Sequence, residues 1–241
     1  MSLVRFFLTV FKFSRAVQPT MENRLRSHVL TAKNLTIARG DMVLCSAVDF
    51  SVASGQILHI QGSNGIGKTT LMMMLAGLIP LSNVDKTTIM WGDQKPEDWS
   101  VLYIGHLIGL NAGLSVRENL RFVQRLNSVS DATLDMAFKA VGLSGYEDIT
   151  VAQLSSGQKR RVSLARLWLT EDADRLWLLD EPFTALDAVM ANRVSERLIE
   201  HTKAGGRVIL TSHQSLNIPV EILSLDQYSV QHDDVEWVRE C

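Results

Sequence analysis

Gly62-Ser63-Asn64-Gly65-Ile66-Gly67-Lys68-Thr69 follows the aliphatic run Ile57-Leu58-His59-Ile60-Gln61 and leads into Thr70-Leu71-Met72-Met73-Met74-Leu75. Strand, glycine-rich turn and apolar helix in that order are the context a phosphate-binding loop requires. The glycines let the backbone fold tightly enough for successive N–H groups to point at a phosphate, at the start of a helix whose dipole favours an anion. Lys68 can reach the β and γ phosphates, and the Thr69 hydroxyl can ligate Mg²⁺. Gly62, Ser63, Asn64, Gly65, Ile66, Gly67, Lys68, Thr69 and Thr70 are therefore the candidate nucleotide contacts. The competing reading is a ligand-free glycine turn, which the strand and helix on either side argue against.

Further along, Leu176-Trp177-Leu178-Leu179 reads as a buried strand that ends in Asp180-Glu181. Two adjacent carboxylates at a strand end suit two jobs. Asp180 can hold Mg²⁺ through its water shell, while Glu181, pointing the other way, can polarise the water that attacks a γ-phosphate. Between the two motifs lies Leu154-Ser155-Ser156-Gly157-Gln158, directly ahead of a basic helix over 159–169. Hydroxyls and a glycine at a helix start form an anion site through free N–H groups and the dipole. Taken alone, that segment reads as a plain helix cap.

Working outward, β-branched and aliphatic runs at 29–37, 57–61, 88–91, 101–104, 176–179, 207–211 and 220–225 predict strands. The interval 115–175 predicts mostly helix. Ser115-Val116-Arg117-Glu118 is a capping box opening a helix through about Leu126. Leu134, Phe138 and Val141 recur at helical spacing before a stop at Gly142. A helical block is thus inserted between the strands of an α/β core, and without internal repeats or low-complexity linkers 28–241 reads as one unit.

Composition narrows the classes. The 241 residues carry 24 Lys+Arg against 26 Asp+Glu, a net charge of -2, with 46% hydrophobic residues. Nothing in that balance attracts nucleic acid or anionic lipid globally. The basic cluster Lys159, Arg160, Arg161 and Arg166 is expected on a solvated helix face and against acidic partners. Cys45 and Cys241 make neither a disulfide framework nor a zinc site. The long charge-free stretches 50–67 and 99–116 are interrupted by Gly, Ser, Gln, Asn and His, so no membrane span is expected. Residues 1–27 form a basic extension, with Arg5, Lys12, Arg15, Arg24 and Arg26 against Glu22. A membrane-surface segment is one reading; the expectation is a disordered arm or a true start at Met21.

Taken together, these motifs resemble the ATP-binding cassette (ABC) ATPases. The phosphate loop, the Leu-Ser-Ser-Gly-Gln signature, the Asp-Glu strand end, Ala185-Leu186-Asp187 as a D-loop and Ser212-His213 as a switch histidine occur in that family's order. The resemblance implies a P-loop NTPase core of α/β class, with a small antiparallel β-subdomain and a helical subdomain at about 107–165. It implies ATP and Mg²⁺ as cofactors, Thr69 and Asp180 as the metal's ligands, and Glu181, His213 and Lys68 as the catalytic set. It also implies a head-to-tail dimer in which Ser155, Ser156, Gly157 and Gln158 of each copy close on the nucleotide held by the other. Asp187 is then the D-loop acid.

Two positions depart from the common ABC pattern. Tyr103-Ile104-Gly105-His106 places His106 where most members carry the Q-loop glutamine; a neutral imidazole can still accept from a metal-bound water. Ala38-Arg39-Gly40-Asp41 stands where most have an adenine-stacking aromatic, and Arg39 can either stack on the base or remain a solvated turn residue. These departures, together with Ala165-Arg166-Leu167-Trp168-Leu169, resemble the ATP-binding subunit of heme export in cytochrome c maturation, the CcmA family. That resemblance implies integral membrane partners similar to CcmB and CcmC, docking near 106–114, and a peripheral place on the cytoplasmic face of the inner membrane. No direct heme binding is expected, since His28, His59, His106, His201, His213 and His232 form no heme motif. An ABC ATPase for another solute, a non-transport ABC protein and a phosphate-loop kinase are the alternatives.

Overall fold

The computed structural model describes residues 29–80, 88–91, 99–106, 109–170 and 175–230. In chain order the strands are β1 (Val29–Arg39), β2 (Met42–Ala53), β3 (Ile57–Gln61), β4 (Thr88–Trp91), β5 (Val101–Ile104), β6 (Leu176–Asp180), β7 (Arg207–Thr211) and β8 (Glu221–Ser224). The α-helices are α1 (Lys68–Leu75), α2 (Val116–Asn127), α3 (Asp131–Ala140), α4 (Ser156–Leu164) and α5 (Ala188–Lys203). The basic extension 1–27 lies outside the described residues.

Every residue of β6 and β7 is buried, which is the mark of central parallel strands covered on both faces. The order is β5-β6-β7-β3-β8, and each neighbouring pair is parallel. Because side chains alternate across a strand, each strand feeds two cores. Trp177 and Leu179 of β6 with Val208 and Leu210 of β7 pack among the helices α2 to α5. Leu176, Leu178 and Ile209 pack on the opposite face with α1 and the antiparallel sheet β2-β1-β4. Trp168 seats its ring against the helical core. The α/β core with a separate antiparallel sheet is the architecture the ABC resemblance implies.

One strand has no counterpart among the apolar runs. β2 covers 42–53, a stretch with only Cys45, Val48 and Val52 buried. It is an edge of the antiparallel sheet, so a sparse alternation with Ser and Asp between the inward residues is sufficient to pack it. Two helix starts also shift. α1 begins at Lys68, ahead of Thr70, because the Leu71 N–H already bonds the Gly67 carbonyl at 2.8 Å. α4 begins at Ser156 and ends at Leu164, continuing as a 3₁₀ turn over Ala165–Trp168.

The α2 capping box is present as expected. Ser115 Oγ accepts from the Glu118 N–H, while a Glu118 carboxylate oxygen accepts from the Ser115 N–H at 2.8 Å. Ser115→Ala should cost about 1 kcal/mol of unfolding free energy, read from the shift of the denaturant midpoint. No helix among the described residues is long and apolar enough to cross a membrane.

Candidate active site

In a parallel sheet all strands present their C-terminal ends to one edge, and ligands bind there. Here that edge collects 62–69 after β3, Gly105-His106 after β5, Asp180-Glu181 at the end of β6, Ser212-His213 after β7 and the 3₁₀ turn Leu225–Tyr228 after β8. The sheet order therefore converts motifs far apart in sequence into neighbours.

The phosphate loop enters α1 through Gly67, whose φ of +109° no side-chain-bearing residue adopts comfortably, and no side chain caps the helix. Its first N–H groups are left to face an anion. Lys68 Nζ folds back on the loop, donating to the Gly62 carbonyl at 2.7 Å and the Ser63 carbonyl at 3.1 Å. Thr69 Oγ1 donates to Asp180 Oδ2 at 2.8 Å. The two residues expected to hold Mg²⁺ thus already touch across the gap between α1 and β6. A hydroxyl and a carboxylate are the hard oxygen donors that ion takes, so the residues present fit it.

Glu181 sits half-covered beside the switch histidine. Its Oε2 accepts from the His213 N–H at 3.3 Å. Its Oε1 has no hydrogen-bond partner despite burial, with His213 Nε2 at 3.5 Å. A buried acceptor without a donor is poised to take a proton from an incoming water. The His213 side chain is well exposed and free to meet a phosphate.

Five residues absent from the sequence-derived set complete the geometry. Thr211 Oγ1 donates to Asp180 Oδ1 at 2.7 Å and accepts from the Glu181 N–H at 2.9 Å. His59 and the Ser212 carbonyl are joined at 3.0 Å, and Gln61 Nε2 lies 3.2 Å from His59 Nδ1. That pattern makes Nε2 the ring donor and ties the His213 loop to β3. Arg160 reaches the carbonyls of Gly105, Asp180 and Glu181. Arg160 and Arg166 are both buried, contrary to a solvated face for the basic cluster. Burial pulls the pKa of each below the usual arginine value, to about 10 for Arg166. The helical spacing of Arg160 with the buried Ser163 and Leu164 was the available sign, because i, i+3 and i+4 share a face.

The fifth is Asp226, whose Oδ1 accepts from both the Ser63 N–H at 2.9 Å and the Ser63 hydroxyl at 2.8 Å. Those bonds, with the Lys68 charge adding to them, hold its carboxyl below the usual carboxylate range. A depressed folded pKa gives a contribution that is complete above the unfolded value and is lost as pH falls through the folded one. The latch is therefore intact at neutral pH. Asp226→Ala removes both bonds and Ser63→Ala only the hydroxyl's, so Asp226→Ala should lower ATP affinity more and the two effects should be non-additive; a fluorescent-nucleotide titration giving additive effects would separate the two residues.

The remaining sequence-derived residues stand apart from this cluster. Ser155 and Gln158 form a second capping box that starts α4, and Ser155 and Ser156 are exposed. Gly157 is needed for close packing, because a Cβ there would stand 3.1 Å from the Ala185 carbonyl. Asp187 caps α5 by accepting from the Met190 N–H at 2.8 Å, and it ion-pairs with Arg161. His106 is exposed at the end of the β5 loop. The glycine before it makes room for Tyr103, whose Oη would lie 2.8 Å from a Cβ on Gly105. Arg39 is exposed at the β1–β2 turn, two residues beyond Ile37, which packs on Gly67.

Phosphate loop, paired strand-end carboxylates and a histidine at one edge of a parallel sheet, with an exposed Ser155-Ser156 segment opening α4, define an ATP-hydrolysing domain of the ABC class. The sequence profile of the ABC transporter family matches residues 45–184. The chain is 42% identical over 215 residues to the cytochrome c biogenesis ATP-binding export protein CcmA of Tatumella citrea, covering 87% of this chain and 100% of that protein. To the protein of the same name from Escherichia coli K12 it is 42% identical over 196 residues, 79% of this chain and 91% of that one. A putative ABC transporter ATP-binding protein from Pyrococcus furiosus shares the fold, with TM-score 0.73 and 24% identity over 84% of this chain and 100% of that chain. The chain belongs to the ABC transporter ATP-binding family and, within it, to the CcmA cytochrome c biogenesis ATP-binding export proteins.

Proposed function

We propose that this chain is the ATP-hydrolysing subunit of an inner-membrane ABC complex that couples hydrolysis to heme export, or to heme release from its carrier, in c-type cytochrome biogenesis. The observation that carries this reading is the 42% identity to a cytochrome c biogenesis export protein along that protein's whole length. The Tyr103-Ile104-Gly105-His106 and Ala165-Arg166-Leu167-Trp168-Leu169 strings support it over an ABC ATPase for another solute.

In this reading 62–70 bind the triphosphate of ATP, with Lys68 swinging from the Gly62 and Ser63 carbonyls to the phosphates. Thr69 and Asp180 would hold Mg²⁺, which neutralises charge on the phosphates when bound. Glu181 Oε1 takes the proton of the attacking water, and His213 orients that water and the γ-phosphate. Arg39 lies where the adenine is expected. The exposed 155–158 segment would meet the nucleotide of a second copy; among the described residues, none of its hydrogen bonds reaches its own phosphate loop, which supports a role between copies. The same reading takes 28–241 as the ATPase domain, with about 107–165 as its helical subdomain. Integral subunits similar to CcmB and CcmC would dock near 106–114 at the cytoplasmic face. Neither nucleic acid nor heme is expected as a direct ligand of this chain.

Affinity purification of the chain from detergent-solubilised membranes is expected to bring down an integral membrane subunit whose deletion abolishes c-type cytochrome assembly. Recovery of a partner required only for uptake of another solute would overturn the heme reading. Titration of heme into the purified chain should show no stoichiometric absorbance change; tight binding would reassign this subunit as a heme carrier.

A further inference from the structure

Glu181 stands in the left-handed backbone region, with φ of +53°. A non-glycine residue stays there only when its surroundings hold it. Both ends of its backbone are held. The N–H donates to Thr211 Oγ1 at 2.9 Å, and the carbonyl accepts from Arg160 Nη2 at 2.6 Å. The same Nη2 reaches the Asp180 carbonyl at 2.9 Å, while Nη1 donates to the Gly105 carbonyl at 3.1 Å. Arg160 is 6% exposed, and these hydrogen bonds go to main-chain carbonyls, not to carboxylates. Its planar fork therefore sets the course of backbone, while its charge also acts on the nearby Asp180 and Glu181 carboxylates. One side chain on the signature helix thereby links the end of β6 to the residue that precedes His106.

We propose that Arg160 is the positioning residue of Glu181, holding the hydrolytic carboxylate and the Gly105-His106 loop in one fixed relation. The proposal rests on the reading of Glu181 as the base. Removing the fork takes a donor from the Gly105, Asp180 and Glu181 carbonyls, leaving the last with the longer bond from the Thr184 N–H at 3.2 Å, and the Glu181 backbone relaxes toward an unstrained conformation. The carboxylate then leaves its place beside His213, whereas the phosphate loop, carried by β3 and α1, keeps its contacts. A shift of the carboxylate by about 1 Å is enough to lower the rate about 100-fold. A lysine's three donors radiate from one nitrogen and cannot span the Glu181 and Gly105 carbonyls as the fork does.

Steady-state hydrolysis and fluorescent-nucleotide binding of the full chain test this. Arg160→Met should bind Mg-ATP within about threefold of the native chain while kcat falls about 100-fold at a nearly unchanged KM. Arg160→Lys should fall about 10-fold in kcat and so restore part of the loss. If circular dichroism shows Arg160→Met unfolded, the lysine variant decides alone. A native kcat in the variant that folds, or a raised KM with native kcat, overturns the proposal. Glu181→Gln is measured beside them. If it is inactive while the Arg160 variants turn over normally, the positioning inference alone fails; if it hydrolyses at the native rate, the base reading fails.

Discussion

Glu181→Gln is expected to bind Mg-ATP, to hold two copies together in its presence, and to hydrolyse about 10²–10⁴-fold more slowly, the usual contribution of a general base. The carboxamide keeps the volume of the side chain and can still accept from the His213 N–H that bonds Oε2 at 3.3 Å. It cannot take a proton from water at the position of Oε1, the oxygen left without a hydrogen bond. The dimer then persists because its closing ligand is not consumed. Lys68→Ala should behave in the opposite way and lose nucleotide binding, since in the proposed reading the ammonium now resting on the Gly62 and Ser63 carbonyls moves to the phosphates. Gel filtration with and without ATP, alongside phosphate release, separates the two outcomes. A native hydrolysis rate for Glu181→Gln would remove Glu181 from the chemistry.

Gly67→Ala should both destabilise the fold and abolish ATP binding. Its φ of +109° puts an L-residue under strain, and a Cβ would stand 2.8 Å from Ile37 Cγ2 and 3.2 Å from Leu44 Cδ1. Ile37 is fully buried and β-branched, so its methyl has little freedom to rotate away. Strain and overpacking together should cost about 2–5 kcal/mol, seen as a lowered denaturant midpoint. The loop also cannot keep its N–H groups aimed at a phosphate once Gly67 shifts. A variant with native midpoint and native ATP affinity would show that the β1–β2 hairpin yields freely, contrary to its packing.

The core strands were legible because parallel strands buried on both faces need unbroken apolar runs; Leu176 to Leu179 and the aliphatic run of β7 are such runs. β2 was not, since an edge strand needs to bury only a few side chains. Of the candidate site, Lys68, Thr69, Asp180 and Glu181 were readable from local motifs, and His213 from its place in the order that resembles the ABC family. Thr211, Arg160 and Asp226 were not. Threonine at a strand end, arginine in a basic helix and aspartate in a turn are ordinary residues until another element is placed against them. Asp226 meets Ser63 only because β8 lies beside β3.

From the residues alone come the phosphate-loop class, the order of the nucleotide motifs and the capping box that opens α2, because each depends on chemistry within a few neighbouring residues. Tertiary structure alone decides which partners hold those motifs in place. The strand order β5-β6-β7-β3-β8 sets Thr211 between Asp180 and Glu181 and lets Arg160 span β5 and β6. Backbone strain at Glu181 can be maintained only by groups brought from distant segments, and no local spacing rule encodes where those groups arrive.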